Sequence, residues 1–122
     1  MKKFLITLLV LAVVVGLCFG LYYFLWTPEN LSSLGDRYMK AEKYERAAFF
    51  YERAARLDPD NTTYTIELAD AWLNAQNYTQ AERTLVTALE KKPDATLCCK
   101  LSAVYVAQGK FLDAQQMLDS VT

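Results

Sequence analysis

The chain has 122 residues, a formal net charge of −1, no histidine and three cysteines. That length holds one modest domain, and the missing histidine removes the side chain that most often serves catalysis and metal binding near neutral pH. Cys18, Cys98 and Cys99 are too few and too unevenly placed for a disulfide scaffold.

Apolar residues make up 53% of the chain, but they are unevenly spread, and Phe4–Trp26 is a run of 23 residues without a single charge. A helix of that length rises roughly 34 Å, enough for the ~30 Å hydrocarbon core with some tilt. Lys2 and Lys3 precede the run, and Tyr22, Tyr23 and Trp26 close it, where amphipathic rings suit a membrane interface. Three readings compete: a permanent signal anchor, a cleaved signal peptide, and a lipoprotein signal with Cys18 as the lipidated residue. Cleavage near Gly16 or Gly20 would leave Leu-Tyr-Tyr-Phe-Leu-Trp as a new N-terminus, a poor start for a soluble domain. Leu17 stands where lipidation of Cys18 calls for a small residue. The sequence therefore favours an anchor over residues 1–27, with residues 4–26 in the membrane. Its N-terminus is expected in the cytoplasm and the rest of the chain outside. Arg37, Lys40 and Lys43 lie on the far side of the span, but domains of this length cross largely regardless of charge.

Lys2 and Lys3 are two of the 13 basic residues, so the remainder sets 11 against all 14 acidic ones, a net of −3. Interspersed charges of that balance give no electrostatic footprint for nucleic acid. No cluster of basic residues follows the apolar run to attract anionic lipid.

Helical spacing dominates residues 28–122. Leu31, Leu34 and Tyr38, then Ala47, Tyr51 and Ala54, each mark one apolar stripe and predict helices over 29–41 and 45–57. The same reasoning places helices over 63–75 and 79–91, and over 95–107 and 111–120. Short turns at Ala41–Lys43, Ala75–Asn77 and Gln108–Lys110 make three hairpins. Pro59 and Pro93 stop the second helix of their hairpins, because proline cannot continue the hydrogen-bond ladder. Asp60 or Asn61, and Asp94, are candidate N-caps for the helices that follow.

The hairpins repeat. Leu34, Tyr38, Tyr44, Ala47, Ala54 and Pro59 recur 34 residues later as Leu68, Trp72, Tyr78, Ala81, Ala88 and Pro93. A third copy follows at a spacing of 33, with Leu101, Tyr105, Phe111, Ala114 and Leu118; the residue lost lies in a turn. Gly35, Ala47 and Ala54 permit close helix approach, and Ala69, Ala81 and Ala88 repeat the arrangement. No hairpin buries its stripe alone, so neighbours are expected to stack.

On these residues the chain resembles the tetratricopeptide repeat family, with repeats about 28–61, 62–94 and 95–122. It departs from the family pattern at Thr65 and Cys98, where a large apolar residue is usual. The resemblance implies an all-α fold, an α-solenoid of three hairpins behind the N-terminal helix. It further implies a concave groove lined by the first helix of each repeat, holding a protein or peptide partner. By position that lining comprises Ser32, Asp36, Met39 and Lys40, then Ile66, Asp70, Leu73 and Asn74, then Cys99, Lys100, Ala103 and Val106. Of these, only Lys100 resembles the clamp residues with which one subgroup of the family holds C-terminal carboxylates, so that activity is not expected.

Nothing in the sequence predicts an enzyme or a bound cofactor or metal. The carboxylates, such as Glu42, Glu45, Glu52, Asp70, Glu82 and Asp113, recur at surface positions. Neighbouring Cys98 and Cys99 are too close for an ordinary disulfide and too few for a zinc site. The expected function is a membrane-tethered interaction scaffold resembling membrane-anchored repeat proteins of bacteria. The alternative is a docking or spacer module at the front of a longer protein with a ligand-binding or enzymatic domain. A last expectation concerns the third repeat. Phe111, Ala114, Leu118 and Val121 form its inward stripe, while Leu112, Met117 and Val104 are expected on an apolar outer face open to further chain or to a second copy.

Overall fold

The computed structural model describes residues 1–121 and contains seven helices and no strand among them. Helix α1 spans Lys2–Leu25, and the six that follow are α2 (Pro28–Lys40), α3 (Tyr44–Leu57), α4 (Thr62–Asn74), α5 (Tyr78–Lys91), α6 (Ala95–Ala107) and α7 (Phe111–Asp119). Each of α2 to α7 begins and ends within two residues of the expected bounds.

Local chemistry sets these ends. Thr27 caps α2, its hydroxyl oxygen accepting from the Asn30 N–H at 3.4 Å, and Pro28 occupies the first turn, where no N–H is needed. The side-chain oxygen of Asn61 caps α4 and that of Asn77 caps α5, at 3.1 and 3.3 Å. Asp94 caps α6 twice, accepting from Thr96 and Leu97 at 2.7 and 3.2 Å.

The three hairpin turns share one geometry. Glu42, Gln76 and Gly109 take left-handed φ angles of 60°, 61° and 77°. The next N–H in each case returns to a carbonyl five residues back, Lys43 to Tyr38, Asn77 to Trp72 and Lys110 to Tyr105, at 2.8–2.9 Å. This is the Schellman closure, which satisfies carbonyls left open at a helix end.

Successive helices from α2 to α7 pack against one another, and α4 also touches α6, so the hairpins stack in chain order. Three buried clusters follow one another along the stack. Leu31, Ala54 and Tyr64 form the first, and Ala47, Ala48, Tyr51, Leu68 and Ala71 the second. Ala69, Ala81, Leu85, Leu97, Leu101 and Val104 form the third.

At Thr65 and Cys98, where the chain departs from the family pattern, Tyr64 and Leu97, one residue earlier, are buried against the preceding repeat instead. The expected faces of the third repeat need correction. Val104 does not face outward: it is fully buried in the third cluster, and Met117 packs on the same cluster. Conversely, Phe111, Leu118 and Val121 are exposed, leaving Ala114 as the buried member of the α7 stripe.

Helix α1 has no buried residue and is long and apolar enough to cross a bilayer, a test that a signal sequence also meets. Asn30 ties it to the first repeat, its Nδ2 donating to the Phe24 carbonyl at 2.7 Å.

Candidate functional site

The first helices of the three hairpins, α2, α4 and α6, bring one register of side chains onto a shared face. Asp36 and Asp70 are repeat equivalents, as are Met39, Leu73 and Val106, because one hairpin separates them. Asp36, Lys40, Asn74, Cys99, Ala103 and Val106 are exposed, whereas Met39, Ile66, Asp70, Leu73 and Lys100 are partly buried. Met39, Ile66 and Leu73 also pack on the buried clusters, so their inner halves stabilise the fold and their outer halves remain on the surface. Ser32 is buried and donates its hydroxyl to Glu67 at 2.8 Å, which removes it from the accessible lining.

Polar contacts tie helices together along this face, both between and within repeats. Lys100 Nζ on α6 lies 2.9 Å from Asp70 Oδ1 on α4. The Tyr51 hydroxyl on α3 donates to Asp36 Oδ1 at 2.6 Å. Asn74 does not reach across repeats; its Nδ2 donates to the Asp70 backbone carbonyl within α4.

Three carboxylates, Asp36, Glu67 and Asp70, lie near one another on this side of the first two repeats. Burial pushes the Glu67 carboxyl up; the Ser32 hydrogen bond opposes that shift, and the charges of Asp36 and Asp70 add to it. Burial likewise raises Tyr51, reinforced by its bond to Asp36 and by the charges of Asp36, Glu67 and Asp70. Asp36, Glu67 and Asp70 therefore act as one acidic patch, with Lys100 bonded to one edge of it. Glu67 and Tyr51 escaped the sequence reading. Glu67 sits where the other repeats carry Ser33 and Lys100, so no recurrence marks it, and Tyr51 reads as a core aromatic.

Cys98 and Cys99 are both free thiols, the first partly buried and the second exposed on this face.

Comparison with known proteins agrees with this architecture. Two solved structures, MamA MSR-1 C2 and MamA AMB-1 P212121, superpose with TM-scores of 0.66 and 0.64 at 20% identity. They cover 79% and 78% of this chain, which in turn spans 56% and 52% of theirs. Among curated proteins, the tetratricopeptide repeat protein 30 homolog of Drosophila melanogaster is 32% identical over 95 residues, 76% of this chain and 14% of that protein. Tetratricopeptide repeat protein 21A of Mus musculus is 24% identical over 91 residues, 75% of this chain and 7% of that protein. The chain thus spans a small part of the curated relatives it matches. The sequence model of the tetratricopeptide repeat matches residues 38–101, more than half of the chain, and the chain belongs to the tetratricopeptide repeat family.

Proposed function

We propose that this chain is a membrane-tethered binding module whose α2–α4–α6 face holds a segment of another protein. The repeat fold supports protein–protein interaction in general, and the acidic patch of Asp36, Glu67 and Asp70 is the observation that carries the finer reading. Such a patch favours a segment bearing lysine or arginine beside the first two repeats. Toward the third repeat, Leu73, Ala103 and Val106 offer apolar surface.

The apolar α1, with no buried residue, supports the tether. Holding the face at a membrane confines encounters to that surface and raises the effective concentration of partners there. We read the repeats as lying outside the cytoplasm, on the side opposite Lys2 and Lys3. The chemistry involved is binding; the role proposed is that of a scaffold and not of an enzyme.

Photo-crosslinking in native membranes tests the reading. A photoreactive residue at Lys40 or Ala103 should capture a partner, and one at Arg83 on α5 should not. Asp36→Lys with Asp70→Lys should abolish capture. Equal capture from all three positions would remove the groove assignment. Protease added to spheroplasts should digest the repeats, and their protection would reverse the orientation.

A further inference from the structure

We propose that α1 and α3 together form a binding site for the headgroup of an anionic glycerophospholipid, at the level where the apolar helix leaves the membrane. This rests on reading α1 as a membrane span. Between the end of α1 and the outer side of α3 lies a cleft of about 460 Å³. One wall is Tyr22 and Tyr23 of α1 with Trp26 just beyond it, and the α3 wall is Phe49, Glu52, Arg53 and Arg56. The fold thus supplies what the local sequence lacks: no basic cluster follows the apolar run, but the first hairpin folds back and sets two arginines beside it.

The groups suit a headgroup. The Arg53 guanidinium lies 4.7 Å from the centre of the Trp26 ring and 5.7 Å from that of Phe49, and it makes no ion pair among the described residues. An arginine stacked on aromatic faces keeps its N–H fork free for phosphate oxygens. Arg56 is bonded to Glu52 at 2.9 Å, so the cleft carries one uncompensated positive charge from these three residues. The carbonyls at the end of α1 would repel an anion, and the Asn30 amide already covers that of Phe24.

Depth is what selects a lipid. Twenty-four helical residues rise about 36 Å, which puts the last turn of α1 beyond a ~30 Å hydrocarbon core and among the headgroups. Tyr22 and Trp26 pack at 5.8 Å there as an interfacial aromatic pair. Phe49 and Leu57, both more than half exposed on α3, present apolar surface on the same side, where glycerol and upper acyl segments would lie.

The test uses the full chain in nanodiscs of equimolar phosphatidylcholine and phosphatidylglycerol, followed by native mass spectrometry of lipids retained after ejection. The wild type should retain phosphatidylglycerol over phosphatidylcholine at a ratio of about 5 to 1, against 1 to 1 in the bulk, the effect expected of one basic side chain at an anionic surface. Arg53→Gln with Arg56→Gln should return the ratio to bulk. Arg53→Lys should keep much of the enrichment, since charge survives while stacking weakens. Bulk-like retention by the wild type, or undiminished enrichment in the double variant, overturns the site. Flotation of both proteins through alkaline carbonate separates this failure from that of the tether. If neither floats with the lipid, the membrane reading falls and the site falls with it. If both float without enrichment, only the site is lost.

Discussion

Gly35 lies flat against the ring of Tyr51: a methyl group built on the glycine would fall 2.5 Å from Tyr51 Cε1. The equivalent pairs in the other repeats are Ala69 with Leu85 and Ser102 with Leu118, each with a residue larger than Gly35 on the first helix and one smaller than Tyr51 on the second. Repeat one has traded those sizes. The ring is held in place because its hydroxyl reaches Asp36 at 2.6 Å, so it cannot swing away. Gly35→Ala should therefore destabilise the fold by about 1–3 kcal/mol, the usual cost of overpacking, although alanine is the better helix former. Tyr51→Leu in the same chain should recover most of that loss by restoring the pairing of repeat two. Chemical denaturation of the two single variants and the double variant measures the coupling. Simple additivity would mean that the contact is not what requires glycine.

The turns carry strain that glycine would relieve. Glu42 and Gln76 adopt φ near +60°, a region that costs an ordinary residue roughly 1–2 kcal/mol, while the third repeat has Gly109 there. Glu42→Gly and Gln76→Gly should each stabilise the fold by up to about 1 kcal/mol net of the greater flexibility of glycine in the unfolded chain, and so raise the melting temperature. Gly109→Ala should lower it by a similar amount. A Glu42→Gly protein that melts earlier than the wild type would show that its side chain contributes more than its backbone costs.

Much of this was legible in the sequence, for definable reasons. Ala47, Ala81 and Ala114 recur in phase and are buried in all three repeats, because close helix approach admits nothing larger. The helix ends were readable because Pro28, Asn61, Asp94 and the three turns act locally. The burial of Tyr64 and Leu97 in place of Thr65 and Cys98 is not legible there, since at a helix start the choice between facing the hairpin and facing the preceding repeat depends on how hairpins stack. Val104 was misjudged for the same reason. The acidic patch and the Arg53–Trp26 contact join residues from different helices, and no periodicity in one segment announces them. The lining of the groove was placed by resemblance, and the structure adds the correction that Ser32 is turned inward to Glu67.

The acidic patch predicts two pH effects of defined sign. The carboxyl of Glu67 is raised above its ordinary 4.5, chiefly by burial, so its contribution to stability is fully present below pH 4.5 and is lost as the pH rises through its folded value. Glu67→Gln keeps an acceptor for Ser32 without the charge. It should raise the melting temperature at pH 7, and the gain should vanish near pH 3. Tyr51 is raised above its ordinary 10.0, again chiefly by burial, so stability should fall above pH 10 with a slope of up to about 1.4 kcal/mol per pH unit. Tyr64 and Tyr105 shift the same way, so these three phenols should ionise together with alkaline unfolding when each is followed separately by NMR. Ionisation of Tyr51 before the helices melt would contradict this.

The outer side of the third repeat differs chemically from its counterparts. Leu112 is 82% exposed where repeats one and two carry Glu45 and Thr79, and Phe111 is 67% exposed where they carry the partly buried Tyr44 and Tyr78. Leu118 is exposed although its equivalents, Tyr51 and Leu85, are buried by the first helix of the next repeat. Phe111 and Leu118 are thus the residues a stacking helix would cover, and Leu112 extends the same apolar surface beyond it. A patch of this kind is normally occupied in a repeat array. We predict that a fragment of residues 28–122 self-associates through it. In sedimentation velocity the fragment should shift to larger species with rising concentration, while Leu112→Glu with Leu118→Lys should stay monomeric. Those two substitutions should change the monomer's helix content little, because neither side chain is buried in it. Fusing a polar helix designed to stack on α7 should also give a monomer, but one that melts higher than the parent fragment, since it covers the patch instead of charging it. A wild-type fragment that remains monomeric at the highest concentration, with a melting temperature unmoved by the added helix, would show that the patch tolerates water and needs no occupant.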